Sequence, residues 1–167
     1  MQPPIILDIE ASGFGVGSYP IEIGYASANG ETWCALVQPQ AEWLHWDHEA
    51  EKLHQQTRQN LMQHGLPAWQ IAKHLNLTFS GQTLYSDAWF NDFVWLSCLY
   101  EATAMQPSFK LEDLRMILSP QQADIWHPTK QAIMASLSME RHRASIDAKV
   151  LQLTWLETVQ SRVTVPA

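Results

Sequence analysis

The sequence predicts an α/β fold in which a mixed central sheet, opening with three antiparallel strands, is flanked by helices. Three observations support this fold class. Residues 5–37 contain three apolar, β-branched segments of strand length. Most of the chain from residue 43 onward has the spacing of amphipathic helices. A short apolar segment at residues 83–86 interrupts the helical part and is predicted to add a strand to the sheet.

The opening strands are defined by apolar segments and by the turn residues between them. Residues 5–10 form an apolar run that is typical of a central strand. The glycine- and serine-rich residues 11–18 predict a loop. Residues 21–27 and 32–37 are predicted to be the next two strands, and Asn29-Gly30 between them is a strong hairpin signal.

The rest of the chain is predicted to be mainly helical. The pattern over residues 43–77 indicates helices with a break near Gly65-Leu66-Pro67, and residues 89–100 form another helical pattern. Residues 111–160 are also predicted to be mostly helical, with a break near Pro128. Because no repeat or interdomain linker is evident, residues 1–167 are expected to form one domain.

Composition limits the compartment and the partners. A hydrophobic content of 46% suits a globular protein, and no apolar run approaches the roughly 20 residues of a membrane span. No signal peptide is recognised, and Cys34 and Cys98 indicate no disulfide framework, so we expect a cytoplasmic protein without a membrane partner. The net charge of -7 argues against a long basic groove for nucleic acid, although bound divalent cations would offset part of it.

Two acids lie on the most apolar strand. Asp8 and Glu10 are two residues apart, so a strand would place both side chains on one face, with Cβ atoms roughly 7 Å apart. Such a pair is costly to bury unless a divalent cation compensates its charge. The alternative is that the strand ends at Leu7 and both acids lie in a solvated loop.

Two other clusters contain carboxylates. Asp147 lies near the start of an apolar helical segment, five residues after His142, an arrangement that also suits a plain helix N-terminus with a surface histidine. Asp87 and Asp92 lie where the segment 83–86 passes into the next helix. Asp87 is a candidate N-cap of that helix, whereas Asp92 belongs to its first or second turn.

Together these clusters resemble the DEDDh branch of the DnaQ-like (ribonuclease T) superfamily of 3′–5′ exonucleases, which has a ribonuclease H-like fold. The segment DIEASGF at residues 8–14 resembles the first motif of that family, and PIEIG at 20–24 resembles the strand that follows it. The spacing H-x-A-x-x-D at residues 142–147 matches the third motif. The middle motif departs from the family pattern, since Asn91 replaces the usual aromatic residue and the His-Asn dipeptide is absent. Asp92 is preferred over Asp87 as its acid.

The resemblance, which covers residues 5–155, implies a hydrolase that uses two divalent cations, Mg²⁺ or Mn²⁺, to release nucleoside 5′-monophosphates from the 3′ end of single-stranded or short nucleic acid. His142 would be the general base. Four carboxylates would hold the metal ions: Asp8, Glu10, Asp92 and Asp147. Three residues after the first motif would hold the terminal nucleotide: Ser12, Gly13 and Phe14.

Two other functions stay open at this point. One is a catalytically weak nucleic-acid-binding module on the same fold, and the other is a phosphodiesterase acting on short oligonucleotides or dinucleotides. Arg141 and Arg143 are candidate phosphate contacts, with ordinary surface charge as the alternative. Of the eight tryptophans, those in apolar patterns are expected to pack in the core, and exposed ones could instead form a homodimer surface. The sequence does not distinguish DNA from RNA.

Overall fold

The computed structural model describes residues 2–137 and 143–160, which fold into five strands and six α-helices. The strands are β1 (Ile5–Ala11), β2 (Pro20–Ala26), β3 (Thr32–Leu36), β4 (Thr83–Ser86) and β5 (Lys110–Asp113). The helices are α1 (His48–His54), α2 (Arg58–His64), α3 (Ala68–Phe79), α4 (Trp89–Glu101), α5 (Pro120–Leu137) and α6 (Ala144–Gln160), and a 3-10 turn, Leu114–Ile117, follows β5. Among these described helices, none combines the length and apolar character that a membrane crossing requires.

The strands form one mixed sheet in the order β3-β2-β1-β4-β5. The pairs β1–β2 and β2–β3 are antiparallel, which confirms the predicted opening meander. The pairs β1–β4 and β4–β5 are parallel, so β1 joins the antiparallel half of the sheet to the parallel half. The carboxyl ends of β1 and β4 therefore point toward the same edge of the sheet, where residues that follow both strands can meet.

The two faces of β1 have different surroundings. Ile5, Leu7 and Ile9 point into the larger core, which α3 and α4 complete, whereas Ile6 points into a smaller core shared with α6. Asp8 and Glu10 alternate with the residues of the larger core and so lie on the α6 face. Both acids are paired within the β1–β2 ladder, Asp8 with Gly24 and Glu10 with Glu22, so the alternative in which the strand ends at Leu7 is wrong.

Three local predictions differ from the structure. Lys110–Asp113, which lies in or beside a predicted helix, is an edge strand, because its backbone pairs with β4. The predicted break at Pro128 is absent, since α5 continues through this proline. The segment 43–77 contains an additional break, where Gln55 adopts a left-handed conformation and the Thr57 side chain caps α2.

Candidate functional site

The acids of β1 meet an acid from α6 at the edge of the sheet. Asp8 and Glu10 come from the last half of β1, and Asp147 comes from the first turn of α6. One carboxylate oxygen from each of the three residues lies within 4.8 Å of the other two. Hard oxygen ligands at this spacing can share one divalent cation.

A fourth carboxylate, Asp92 in the first turn of α4, lies next to this cluster. Its side chain is only 1% exposed. It accepts a short hydrogen bond from the Ser86 hydroxyl and a further one from the Ile9 backbone N–H. Asp87 instead forms an ion pair with Lys130 at 2.8 Å and is partly exposed. Of the two middle-motif candidates, Asp92 is therefore the one whose carboxylate is buried and held by residues of β1 and β4.

The pKa values of Asp8, Glu10 and Asp92 are raised, first because the carboxylates are buried and second because neighbouring acids add negative charge. Burial raises the pKa of Asp8 well above its ordinary value, and the charges of Asp92 and Glu10 raise it further. Burial, followed by the charges of Asp147 and Glu22, raises the pKa of Glu10 to about 7. Burial also raises the pKa of Asp92 to about 7, although the hydrogen bond from Ser86 opposes the increase. A bound cation would relieve this repulsion, so the donor set fits a divalent metal.

The sequence also singled out residues 141–143, at and just before the start of the third motif, and the structure describes only the last of them. Arg143 is not an ordinary surface charge, because it forms an ion pair with the buried Glu22 at 2.8 Å, and this ion pair makes it less available for phosphate. The proposed base His142 and the phosphate candidate Arg141 lie outside the described residues. Glu22 was not among the predicted site residues, and only its cross-strand position opposite Glu10 could have indicated it.

A pocket of about 310 Å³ adjoins the carboxylates. Asp8, Glu10, Gly13, Phe14 and Trp95 contribute to its lining. Its volume falls at the lower end of the range of about 300–1,000 Å³ that is usual for small-ligand sites. A second, larger depression of about 770 Å³ is lined partly by residues of β2 and β3. None of the four acids contributes to its lining.

Ser12 anchors the loop after β1 through hydrogen bonds and is not exposed to the pocket. Its exposure is 0%, its N–H donates to the Tyr19 carbonyl at 2.9 Å, and its own carbonyl accepts from the Asp47 N–H at 2.8 Å. Its hydroxyl accepts from the Tyr19 N–H at 3.1 Å and lies 3.0 Å from His45 Nδ1. Because its polar groups are already engaged, this placement does not support the expectation that Ser12 contacts a nucleotide directly.

Gly13 and Phe14 are placed at the pocket. Gly13 has φ +137, and a Cβ atom there would lie 2.5 Å from Asp47 Cβ, so only glycine suits this bend. Phe14 is 71% exposed, and its ring centroid lies 5.8 Å from that of Trp95. An exposed ring beside a cluster of acids is a suitable platform for a planar ligand.

His54 is a further lining residue that the sequence did not indicate. It is buried at the end of α1, and its Nδ1 accepts the Gln56 N–H at 3.1 Å. In the neutral imidazole, this bond places the proton on Nε2. No sequence signal points to this residue, since a histidine at a helix end is ordinary.

Comparison with known proteins gives structural matches. No protein-family model matches the sequence, and no curated protein sequence matches it significantly. The fold matches Escherichia coli exonuclease I in complex with a dA13 oligonucleotide, with a TM-score of 0.65 at 12% identity, over 98% of this chain and 42% of that chain. It also matches the zinc-bound form of the E. coli exonuclease I complex with single-stranded DNA, with a TM-score of 0.67 at 14% identity and the same coverage of 98% and 42%.

A third match is exonuclease I from Methylocaldum szegediense, with a TM-score of 0.64 at 13% identity, over 98% of this chain and 42% of that chain. The chain thus spans less than half the length of these exonucleases. Each match nevertheless covers nearly all of this chain. The chain therefore shares the ribonuclease H-like fold of these exonucleases.

Proposed function

We propose that the protein is a metal-dependent 3′–5′ exonuclease of the DEDDh type, which releases nucleoside 5′-monophosphates from single-stranded or short nucleic acid. The observation that carries this proposal is the group of three carboxylates, from Asp8, Glu10 and Asp147, within 4.8 Å of one another. The adjoining pocket, with the exposed ring of Phe14, supports it. The exonucleases of the same fold that were solved with single-stranded DNA also support it.

The carboxylates would hold two divalent cations, Mg²⁺ or Mn²⁺. Asp8, Glu10 and Asp147 would hold one of them, and Asp8 together with Asp92 would hold the other. Bound cations would supply positive charge that offsets the charge of the scissile phosphate and would lower the pKa of the attacking water. The raised pKa values of Asp8, Glu10 and Asp92 support this assignment, since they arise from burial of the carboxylates and, after that, from the negative charge of neighbouring acids.

Other residues would bind and orient the substrate. The ring of Phe14 would stack on the terminal base, which tolerates any base because each presents a π face. The tight bend at Gly13 would keep that ring beside the acids. His142 would accept the proton of the attacking water, a role that suits an imidazole because its unperturbed pKa is about 6.5.

A phosphodiesterase that prefers very short oligonucleotides is the second candidate. It is favoured by the ion pairs that lysine and arginine side chains form in the part of the chain that the structure describes. Four of them are engaged in ion pairs with neighbouring carboxylates and so are less available to backbone phosphates: Lys52, Arg115, Lys130 and Arg143. Long strands are usually held by several lysine and arginine contacts to phosphate.

Both candidates are tested by one length series. Single-stranded RNA and DNA of 2, 4, 8 and 12 nucleotides, labelled at the 5′ end, would be incubated with the protein and Mg²⁺ or Mn²⁺. We expect a ladder that shortens from the 3′ end with wild type, no products with Asp8→Asn, and normal products with Asp124→Asn, a matched change at an exposed acid of α5.

The pattern of products separates the alternatives. Efficient cleavage of 12-mers supports the exonuclease, whereas cleavage confined to the 2- and 4-mers supports the short-substrate enzyme. Metal binding without cleavage of any substrate would refute both and leave the binding module.

A further inference from the structure

The first turn of α6 lies directly on β2 at Gly24. A Cβ atom at this position would lie 2.3 Å from the Ser145 backbone nitrogen and 2.5 Å from the Ala144 carbonyl carbon. Both atoms belong to the helix backbone, so no side-chain rotation could relieve the overlap. The approach of α6 to the sheet therefore requires a residue without a side chain at position 24.

Glu22, two residues before Gly24, binds the start of the same helix. It is 1% exposed, and its Oε1 accepts from Arg143 Nε at 2.9 Å and from Arg143 Nη2 at 2.8 Å. Its Oε2 is 3.4 Å from the Ala144 backbone N–H. The first N–H groups of a helix lack partners within the helix, and the side chain of Arg143, which precedes α6, has only donors and cannot accept them. Glu22 supplies that acceptor from the sheet, where its charge also suits the helix N-terminus.

Both contacts lie beside the two acids of β1. Gly24 is paired with Asp8, and Glu22 is paired with Glu10, so these four residues form two adjacent cross-strand pairs on the face that α6 covers. Asp147 is joined to the same helix start, since its N–H donates to the Arg143 carbonyl at 3.0 Å. A displacement of the first turn would therefore move the Asp147 carboxylate relative to Asp8 and Glu10.

We propose that Gly24 and the Glu22–Arg143 ion pair are positioning elements that set the height of α6 over the sheet and thereby place Asp147 within the carboxylate cluster. The inference rests on the proposed metal-dependent function, and it assigns to these residues no contact with metal or substrate. Its consequence is that metal affinity depends on a glycine and an ion pair outside the ligand set. Changes to residues that orient metal ligands typically weaken metal binding by about 10- to 100-fold.

The experiment measures Mn²⁺ binding by isothermal titration calorimetry in the absence of substrate, together with the Tm in EDTA. The test variants are Gly24→Ala, Arg143→Gln and the conservative Arg143→Lys. The control is Leu75→Ala, which removes a fully buried side chain from the larger core, on the opposite face of the sheet from α6. We expect Gly24→Ala and Arg143→Gln to weaken Mn²⁺ binding by about tenfold or more, with partial recovery in Arg143→Lys.

Leu75→Ala should lower the Tm and leave Mn²⁺ affinity unchanged, which separates a positioning role from a general loss of stability. Wild-type Mn²⁺ affinity in a folded Gly24→Ala or Arg143→Gln variant would overturn the inference. If Gly24→Ala does not fold, the Mn²⁺ affinities of Arg143→Gln and Arg143→Lys test the inference. Wild type that binds Mn²⁺ but cleaves no nucleic acid would refute only the proposed function, whereas wild type that binds no Mn²⁺ would refute both.

Discussion

Replacing Glu10 by glutamine should stabilise the metal-free protein at pH 8, although we expect the same change to abolish activity. In the folded protein, burial and the charges of Asp147 and Glu22 raise the pKa of Glu10 to about 7, from an ordinary value of 4.5. Glutamine keeps the size of the side chain and carries no charge, so it removes this unfavourable ionisation.

The size of the effect follows from the two pKa values. One pKa unit corresponds to about 1.4 kcal/mol, so a rise from 4.5 to about 7 means that ionising Glu10 at high pH costs the folded state at most about 3.5 kcal/mol. The side chain is partly exposed, and solvent screening lowers the expected gain in Glu10→Gln to about 1–2 kcal/mol. The folded state binds more protons than the unfolded state between about pH 4.5 and 7, so the stability of the wild type falls as the pH rises through this window.

Urea unfolding in EDTA at pH 5 and pH 8 measures this difference directly. We expect Glu10→Gln to be more stable than wild type at pH 8 and only slightly so at pH 5. Glu42→Gln, a matched change at an exposed glutamate, should behave as wild type at both pH values. A variant no more stable than wild type at pH 8, or a difference of equal size at both pH values, would refute the argument from charge repulsion.

Three further predictions concern activity. Phe14→Ala should raise KM by about tenfold with little change in kcat, since stacking contributes about 1–3 kcal/mol per base; an unchanged KM would remove Phe14 from the binding site. Asp92→Asn should lower turnover by at least about 10²-fold, whereas Asp87→Asn, which loses only the partly exposed ion pair with Lys130, should stay close to wild type; the reverse order would make Asp87 the middle-motif acid. His142→Ala should lower kcat by about 10²- to 10⁴-fold while calorimetry finds Mn²⁺ affinity unchanged, and unaltered turnover would exclude it as the base.

The parts of the fold that could be predicted from the sequence are those whose signals are local. The Asn29-Gly30 turn lies between its two strands, and the shared face of Asp8 and Glu10 follows from the two-residue period of a strand. The position of Asp147 at the start of α6 also follows from the local pattern of apolar residues. Each of these depends on residues that are neighbours in the chain.

The strand β5 could not be predicted in this way. Lys110–Asp113 has four residues, two of them acidic, and it is a strand only because its backbone pairs in parallel with β4, more than twenty residues earlier. Its local pattern is equally compatible with a helix. The continuation of α5 through Pro128 is a similar case, since the usual local penalty of proline predicts a break there.

The supporting residues of the candidate site were missed for a different reason. The role of Gly24 depends on its close contact with the backbone of Ser145, and the role of Glu22 depends on its ion pair with Arg143. In both cases the partner is distant in the sequence. Ser12 shows the converse, since a motif position expected to bind a ligand has its hydrogen-bonding groups engaged by Tyr19 and Asp47. Such roles depend on contacts that have no local sequence signal.

The alternation along β1 has a consequence for how the sheet assembles. A slip of one residue in the pairing of β1 would turn Asp8 and Glu10 into the larger core and would turn Leu7 and Ile9 toward α6. Two carboxylates in an apolar core, far from water, would make that misaligned sheet much less stable than the native one. The acids that we expect to bind metal in the finished protein therefore also disfavour misaligned strand pairing during folding, before any metal or substrate is bound.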